Sequence, residues 1–300
     1  MSRRIIYIIN PIAGTRKKKD LQSFIEQQTK AKGFSFEVFP SVASGDYSFL
    51  HPIIKEQRIT DVVIAGGDGT INQAVASLMD RDVDFGIIPC GSGNGLANSA
   101  KISKQTAKAL DIVFNGKATA IDGFYINNRF ACMLCGLGYD AKVAYDFANQ
   151  GKRGLVTYAK MAFKNFFSMK PWPFQLTLQN NSIEADAWFI SIANSNQFGN
   201  NFTIAPKASL SDGLLDIVIV TSKSKLGFVL QTLKQLAGRN KLQPETVVKD
   251  KKGVIYFQTE KLVISNPSLA PLHIDGDPAE TASALKIEIK KKCFRLIQPA

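Results

Sequence analysis

Asp61-Val-Val-Ile-Ala-Gly-Gly-Asp-Gly-Thr70 is the stretch that decides the fold. Its first half is a dense apolar run, which is typical of a parallel strand buried on both faces. The glycines then let the chain turn sharply into a helix, where apolar residues recur at helical spacing from Ile71 to Leu78. A strand, a glycine turn and a helix in this order predict an open α/β sheet, in which ligands bind at the carboxyl ends of the strands.

The same alternation of strand and helix patterns continues outward over the first 125 residues. Apolar runs at 4–9, 34–39 and 85–89 predict further strands, and segments with helical spacing separate them. Beyond Asp122 the pattern changes: the Asn-Asn pairs at 127–128 and 180–181 are typical of hairpin turns between short apolar runs. Helical patterns at 153–169 and 225–237 interrupt this β-rich part.

We therefore predict two domains. Residues 1–122 form a doubly wound, Rossmann-like three-layer α/β domain, and residues 123–300 form a mainly antiparallel β-sandwich. This division leaves open that the last residues of the chain pack against the first domain. The active site is expected in the cleft between the two, because ligand sites occur preferentially at domain interfaces.

Composition limits the setting in which the protein acts. The 300 residues carry a formal net charge of +12 and four scattered cysteines, which favours a reduced compartment and an anionic partner. The apolar run at 5–9 is too short for a signal peptide, and no stretch is long and uncharged enough for a membrane span. These features predict a cytoplasmic protein that associates peripherally with anionic headgroups of a membrane. Nucleic-acid binding is not expected, because no recognition motif accompanies the charge.

Two further small, amide-rich loops follow predicted strands, at 10–14 and 89–97. Backbone N–H groups in such loops approach phosphate oxygens closely, and a helix N-terminus adds the positive end of its dipole. Asp68 beside a phosphate would repel it unless a cation such as Mg²⁺ lies between them. The alternative is a simple glycine turn in which Asp68 and Thr70 cap the helix.

These loops, in this order, resemble a known family. Asn10-Pro-Ile-Ala-Gly14, Gly66-Gly-Asp-Gly-Thr70 and Pro89-Cys-Gly-Ser-Gly-Asn94 are similar to the signature of the diacylglycerol kinase and sphingosine kinase catalytic domain. Ser211-Asp-Gly-Leu-Leu-Asp216 and Ile274-Asp-Gly-Asp277 extend the likeness over nearly the whole chain, which most resembles bacterial single-module lipid kinases.

The resemblance implies a nucleotide site and a metal site. The residues implied to contact ATP are Asn10, Pro11, Ile12, Ala13, Gly14, Ser41, Gly66, Gly67, Asp68, Gly69, Thr70, Asn72 and Ser92. Those implied to hold a structural Mg²⁺ are Ser209, Asp212 and Leu214, two of them through backbone carbonyls. For Asp212 an ordinary turn before Gly213 is an equally simple interpretation.

Three carboxylates are candidate catalytic groups: Asp68, Asp275 and Asp277. Asp277 stands where the family has the glutamate that is taken as the general base, and its side chain is one methylene shorter. Asp275 could instead be a structural residue of a tight turn. Asp68 would act on phosphate through the cation.

The resemblance implies a kinase that transfers the γ-phosphate of ATP to a hydroxyl of a membrane lipid, either diacylglycerol, a related lipid or a sphingoid base. Two alternatives stay open: a soluble-substrate enzyme like an NAD kinase, and a catalytically weak nucleotide-binding regulator. The basic, aromatic helical segment at 153–169 suits either a membrane surface or packing against the β domain. Cys132 and Cys135 are expected to be core residues, since no second cysteine pair accompanies them.

Overall fold

The structure, a computed structural model, describes residues 3–11, 18–150, 155–179, 181–197, 203–245 and 253–300. The chain divides into two compact units. The first comprises Met1–Ile121 with Lys292–Ala300, and the second comprises Asp122–Lys291. Among the residues described, no helix is long and apolar enough to cross a bilayer.

The first unit alternates strands and helices. Its elements in chain order are β1 Arg4–Ile9, α1 Lys18–Ala31, β2 Ser35–Pro40, α2 Leu50–Gln57, β3 Asp61–Gly66, α3 Asp68–Leu78, β4 Asp84–Pro89, α4 Gly95–Ser99 and α5 Thr106–Asn115. A further strand, β5 Lys117–Ile126, leads from this unit into the second.

The sheet of the first unit is parallel, with the order β2-β1-β3-β4. All six residues of β3 are buried, as the apolar run at the centre of the sheet requires. From β1 the chain crosses outward to β2, and from β3 it crosses in the opposite direction to β4. Right-handed crossovers in opposite directions place their helices on opposite faces of the sheet. The predicted doubly wound α/β fold is confirmed.

The second unit is mainly antiparallel. Its elements are β6 Arg129–Ala131, β7 Leu134–Gly138, α6 Tyr139–Ala148, α7 Leu155–Ser168, β8 Trp172–Thr177, β9 Ser182–Ala193, β10 Leu215–Thr221, α8 Lys225–Leu236, β11 Val254–Thr259, β12 Lys261–Ser265, β13 Leu272–Ile274, β14 Asp277–Ala279 and β15 Ala284–Gln298. The last residues of β15 lie in the first unit, where Arg295 and Leu296 pair parallel with β4.

Strand β9 organises the sheets of the second unit. Its C-terminal half lies between β7 and β10, and its N-terminal half pairs with β8. The first six residues of β9 alternate between exposed and buried, and the remaining six are all buried. Where exposed and buried residues alternate, one face of the strand is solvated. Where successive residues are all buried, both faces of the strand are covered. The predicted C-terminal β-sandwich is confirmed at the level of architecture.

Two details differ from the patterns in the sequence. The apolar run that follows the Asn-Asn pair at 127–128 is divided into β6 and β7, because the backbone N–H groups of residues 132–134 bond to a side chain instead of a neighbouring strand. The helical pattern at 153–169 becomes α7, and residues 151–154 and Asn180 lie outside the described residues. Cys132 and Cys135 are both buried, as expected of core residues, and burial raises the pKa of the Cys135 thiol.

Candidate active site

The carboxyl ends of β1 and β3 form the switch point of the first unit's sheet. The chain turns away from these adjacent strands in opposite directions, and the crevice left at such a point is where open α/β sheets bind ligands. Asn10 leaves β1 at this edge, and Gly67 leaves β3. Ser41 follows β2 at the same edge, where its backbone N–H donates to the Ile9 carbonyl oxygen at 2.9 Å.

Asn10 links the two strands of the switch point. Its backbone N–H donates to the Ala65 carbonyl oxygen at 2.9 Å, and its side-chain Nδ2 donates to Thr70 Oγ1 at 2.8 Å. Thr70 lies in the first turn of α3. The first and second predicted loops therefore meet through a direct hydrogen bond. Pro11 is exposed in the turn that follows, and Ile12, Ala13 and Gly14 lie outside the described residues.

Gly67 and Gly91 bring the second and third loops into backbone contact. A Cβ atom on Gly91 would lie 2.7 Å from Gly67 Cα, and one on Gly67 would lie 3.2 Å from Gly91 Cα. The Cys90 N–H also donates to the Gly66 carbonyl oxygen at 2.9 Å. Side chains at these glycines would separate the loops and cover their amides. The pair therefore keeps a backbone surface open, as phosphate binding requires.

Asn94 fixes the shape of the third loop, a role that the sequence analysis did not assign. Its Oδ1 accepts the Gly91 N–H at 2.8 Å, and its Nδ2 donates to the Gly91 carbonyl oxygen at 2.7 Å. Asn94 is buried and has a φ of 54°. Asparagine tolerates this left-handed conformation better than most residues, so its position between two glycines was a usable signal. Ser92 is exposed within the loop that this side chain closes.

Asp68 and Asn72 lie on the first turns of α3, and both are half-buried. Asp68 is the first residue of the helix and directly follows the extended Gly67, whose ψ is 179°. A carboxylate at this end of a helix is favoured by the helix dipole. Together with Asn10, Ser41 and Ser92, they occupy the carboxyl edge of one sheet.

Asp275 and Gly276 form a two-residue turn between β13 and β14 in the second unit. Ile274 pairs with Asp277 across this turn, and the two turn residues have φ values of 49° and 88°. Positive φ at both positions is what an Asp-Gly pair supplies in a tight hairpin. Asp277 is the first residue of β14 and is exposed, so its carboxylate is accessible.

The Asp275 carboxylate is buried and points into the backbone of residues 132–134. It accepts the N–H groups of Cys132, Met133 and Leu134 at distances of 3.0, 3.0 and 2.9 Å. Burial raises the pKa of Asp275, and the hydrogen bonds from the three amides act in the opposite direction. The side chain thus fixes the turn that presents Asp277.

A buried histidine and aspartate support the same turn from the other side. His273 Nδ1 accepts the Gly276 N–H at 3.3 Å, so the ring proton lies on Nε2, which donates to Asp140 Oδ2 at 3.3 Å. A Cβ atom on Gly136 would lie 2.0 Å from that Asp140 oxygen. No local sequence pattern links His273 to Asp140, because the two residues are 133 positions apart.

Ser209, Asp212 and Leu214 fall in one turn before β10. The Leu214 N–H donates to Asp212 Oδ1 at 3.1 Å, and the Gly213 N–H donates to the buried Asp122 at 2.7 Å. Burial raises the pKa of Asp212, and the charge of Asp122 adds to this effect. Two carboxylates at one turn suit a hard cation. However, the described part of the chain contains no cluster of three His, Cys, Asp or Glu side chains, so an ion here would depend on carbonyl and water oxygens.

Two family models match the chain. Residues 4–126 match the diacylglycerol kinase catalytic domain, and residues 134–297 match the YegS C-terminal NAD kinase beta sandwich-like domain. The two matches follow one another along the chain in the order of the α/β and β-rich parts.

Curated relatives and solved structures agree with these matches. A probable lipid kinase, YegS-like, from Enterobacter sp. (strain 638) is 30% identical over 73% of this chain and 72% of its own. The diacylglycerol kinase of Bacillus subtilis (strain 168) is 24% identical over 91% and 89%. A crystal structure of a diacylglycerol kinase from Bacillus anthracis str. Sterne, 17% identical, covers 99% of this chain and 97% of its own with a TM-score of 0.72. The chain therefore belongs to the family that joins a diacylglycerol kinase catalytic domain to a YegS-type C-terminal NAD kinase beta sandwich-like domain.

Proposed function

We propose that this protein is a kinase that transfers the γ-phosphate of ATP to a hydroxyl of a membrane lipid, diacylglycerol or a related lipid. At family level a lipid kinase is supported by the diacylglycerol kinase catalytic domain and by relatives named for that activity. The observation that carries the proposal is the contact between Gly67 and Gly91 beside the Asn10–Thr70 hydrogen bond. It supports a phosphate-binding surface at the switch point of the sheet.

The chain's own residues would bind and orient ATP. Backbone amides around Gly67 and Gly91 would hold phosphate oxygens, and Asn10 and Ser92 would offer side-chain hydrogen bonds. Asp68 fits a role as ligand to a magnesium ion, since its carboxylate stands at the start of α3 next to this amide surface. When bound, Mg²⁺ neutralises phosphate charge. Ser209, Asp212 and Leu214 would hold a separate, structural ion.

Asp277 is the proposed general base. Its exposed carboxylate would accept the proton of the lipid hydroxyl as that oxygen forms its bond to the γ-phosphorus and the bond to ADP breaks. Phosphoryl transfer asks mainly for positioning and charge stabilisation. We propose that Asp275 contributes through positioning, because its buried carboxylate holds the turn before Asp277.

An NAD kinase-like activity is the second candidate, because the C-terminal match is described as an NAD kinase beta sandwich-like domain. The deciding experiment incubates the protein with γ-labelled ATP, Mg²⁺ and, separately, diacylglycerol, a sphingoid base, ceramide and NAD. Label on a lipid is the expected result. Label on NAD alone would replace the proposal with the second candidate, and no label on any acceptor, with ATP bound, would favour a regulator.

Asp68→Asn tests the nucleotide site in the same assay. Removing the charge that would hold the ion should lower kcat by about 10²–10³-fold, a range typical for one lost electrostatic stabiliser. The unfolding temperature should stay that of the parent, since Asp68 is only half-buried. Asp111→Asn, at an exposed position on α5, is the matched control. Parental kcat in Asp68→Asn would remove this residue from the mechanism.

A further inference from the structure

Helix α8 exposes a narrow apolar stripe. Leu226, Leu230 and Leu233 fall within about 60° of one another at 100° per residue, on the side opposite the buried Phe228 and Gln235. The three leucines are between 49% and 70% exposed. An amphipathic helix normally turns its leucines towards the core. Here the helix already packs through its other side, so the leucine stripe needs a different explanation.

Helix α7 exposes a second stripe of the same kind. Val156, Phe163 and Phe167 fall within roughly 40° of one another and are 60–71% exposed. The opposite side carries the buried Asn165, whose Nδ2 donates to Asp146 of α6 at 2.8 Å. Six of the eleven large apolar side chains that are exposed in the described residues thus lie on these two helices.

The two stripes meet where the helices meet. Lys225, the first residue of α8, donates from Nζ to the carbonyl oxygen of Phe167 near the end of α7. The same ammonium group lies 5.7 Å from the Phe166 ring centroid and 5.9 Å from that of Phe167. The Phe166 ring stacks on that of Phe228 at 6.2 Å. We call the exposed residues Val156, Phe163, Phe167, Leu226, Leu230 and Leu233 the two-helix patch.

The charged residues within the two helical segments of the two-helix patch all have one sign. Residues 155–171 and 222–244 contain no aspartate or glutamate. Exposed lysines and an arginine accompany the patch, at Lys160, Lys164, Lys170, Lys223, Lys234, Arg239 and Lys241. A symmetric contact with a second copy of this chain would bring these cations against their own images. An anionic surface with an apolar interior matches both features.

We propose that the two-helix patch inserts into the interface of a membrane that contains anionic phospholipids. The six apolar side chains would enter the boundary between headgroups and acyl chains, with the basic groups among the headgroup phosphates. The inference rests on the proposed function, because it gives a kinase of membrane lipids the surface on which its acceptor resides. The inference identifies the residues that contact the membrane, and the net charge of the protein by itself does not identify them.

The test compares binding to sedimented vesicles. The fourfold variant combines Phe163→Gln, Phe167→Gln, Leu226→Gln and Leu230→Gln. Glutamine keeps the helix propensity of these positions and removes their apolar side chains. Binding to vesicles of phosphatidylcholine with phosphatidylglycerol should weaken by about tenfold or more. Val263→Gln with Leu269→Gln, at exposed positions that belong to neither helix, should bind like the parent. Equal binding of the fourfold variant and the parent would overturn the proposal.

A tryptophan variant reports insertion directly. The fluorescence of the tryptophan introduced by Leu230→Trp should be quenched by phospholipids that are brominated on the acyl chain. The fluorescence of the tryptophan introduced by the control Leu269→Trp should not be quenched. Quenching in neither variant, with the protein bound, would overturn the proposal. So would a parental dimer that the fourfold variant converts to a monomer while vesicle binding is unchanged, since the patch would then join two copies.

The kinase proposal is tested separately with dihexanoylglycerol, a short-chain diacylglycerol that dissolves as monomers. The fourfold variant should phosphorylate it like the parent and lose activity only on vesicles. A parent that phosphorylates no lipid, and whose vesicle binding still depends on the patch, would overturn the proposed function and support the docking surface.

Discussion

Asp275 and Asp277 are two residues apart and have different surroundings. The first is buried against three backbone N–H groups, and the second is exposed at the start of β14. Asp275→Asn places an amide nitrogen where a carboxylate oxygen accepted a backbone N–H. We expect it to lower the free energy of unfolding by about 1–3 kcal/mol, the cost of a buried unsatisfied donor. Chemical denaturation measures this change.

Asp277→Asn should lower activity and leave stability unchanged. The free energy of unfolding should match that of the parent, and kcat should fall by about 10²–10⁴-fold if the carboxylate is the general base. Asp277→Glu restores a base and should retain activity. Equal kcat values for Asp277→Asn and the parent would exclude this carboxylate from proton transfer.

Asp216 makes the stability of the second unit depend on pH. Burial raises the pKa of Asp216 from 3.8 to about 6, partly offset by hydrogen bonds from Tyr256 and Gln258. Between these two values the folded state binds more protons than the unfolded state, so the free energy of unfolding falls as pH rises. A shift of this size corresponds to ~3 kcal/mol.

Asp216→Asn should remove that part of the pH dependence. Denaturation of parent and variant from pH 4 to pH 7 gives two slopes, and we expect the steeper fall in the parent. Asp186→Asn, which changes an exposed aspartate of β9, controls for the loss of a charge. Identical slopes for Asp216→Asn and the parent would show that Asp216 titrates normally.

At the scale of elements, the loops after β3 and β4 act as a pair. Gly91→Ala would place a Cβ atom 2.7 Å from Gly67 Cα, and Gly67→Ala would place one 3.2 Å from Gly91 Cα. Both changes push the loops apart, the first by more. We expect the dissociation constant for ATP to rise by about tenfold in Gly91→Ala and by less in Gly67→Ala, since a small displacement weakens several phosphate contacts together. Calorimetric titration measures both constants, and the reverse order would contradict the model of paired loops.

The division between β6 and β7 is also decided by a side chain. A continuous strand would use the N–H groups of residues 132–134 in a ladder, and Asp275 accepts them instead. The same carboxylate therefore ends one strand and fixes the turn before Asp277.

At the scale of the whole molecule, the end of the chain completes the first unit. Leu296 is fully buried beside Phe85 of β4, although it follows the second unit in sequence. Leu296→Ala should destabilise the first unit by about 2–5 kcal/mol, as expected for a truncated core leucine. Hydrogen exchange should become faster in β4 and stay unchanged in β9. Pro299→Ala, at an exposed position, is the control, and unchanged exchange in β4 would contradict the prediction.

The sequence by itself determined the α/β and β-rich parts, the glycine loops and the family. These features are local: the spacing of apolar residues shows which face is buried, and glycine or asparagine marks a turn wherever it lies. The position of Asn10, Gly67 and Ser92 could be predicted for the same reason, since each lies in a loop at the carboxyl end of a strand of the parallel sheet.

Only the tertiary structure decided which distant groups meet. Asp275 bonds to amides more than 140 residues earlier, and Arg295 pairs with Asp84 across 211 positions. His273 reaches Asp140 across 133. The leucines of α8 show the same limit. Their spacing predicts a buried face of the helix, but the face that is buried in the structure is the one that carries Phe228. A local pattern shows that an apolar side chain favours burial. Which segment packs against that side chain is decided by the fold of the whole chain.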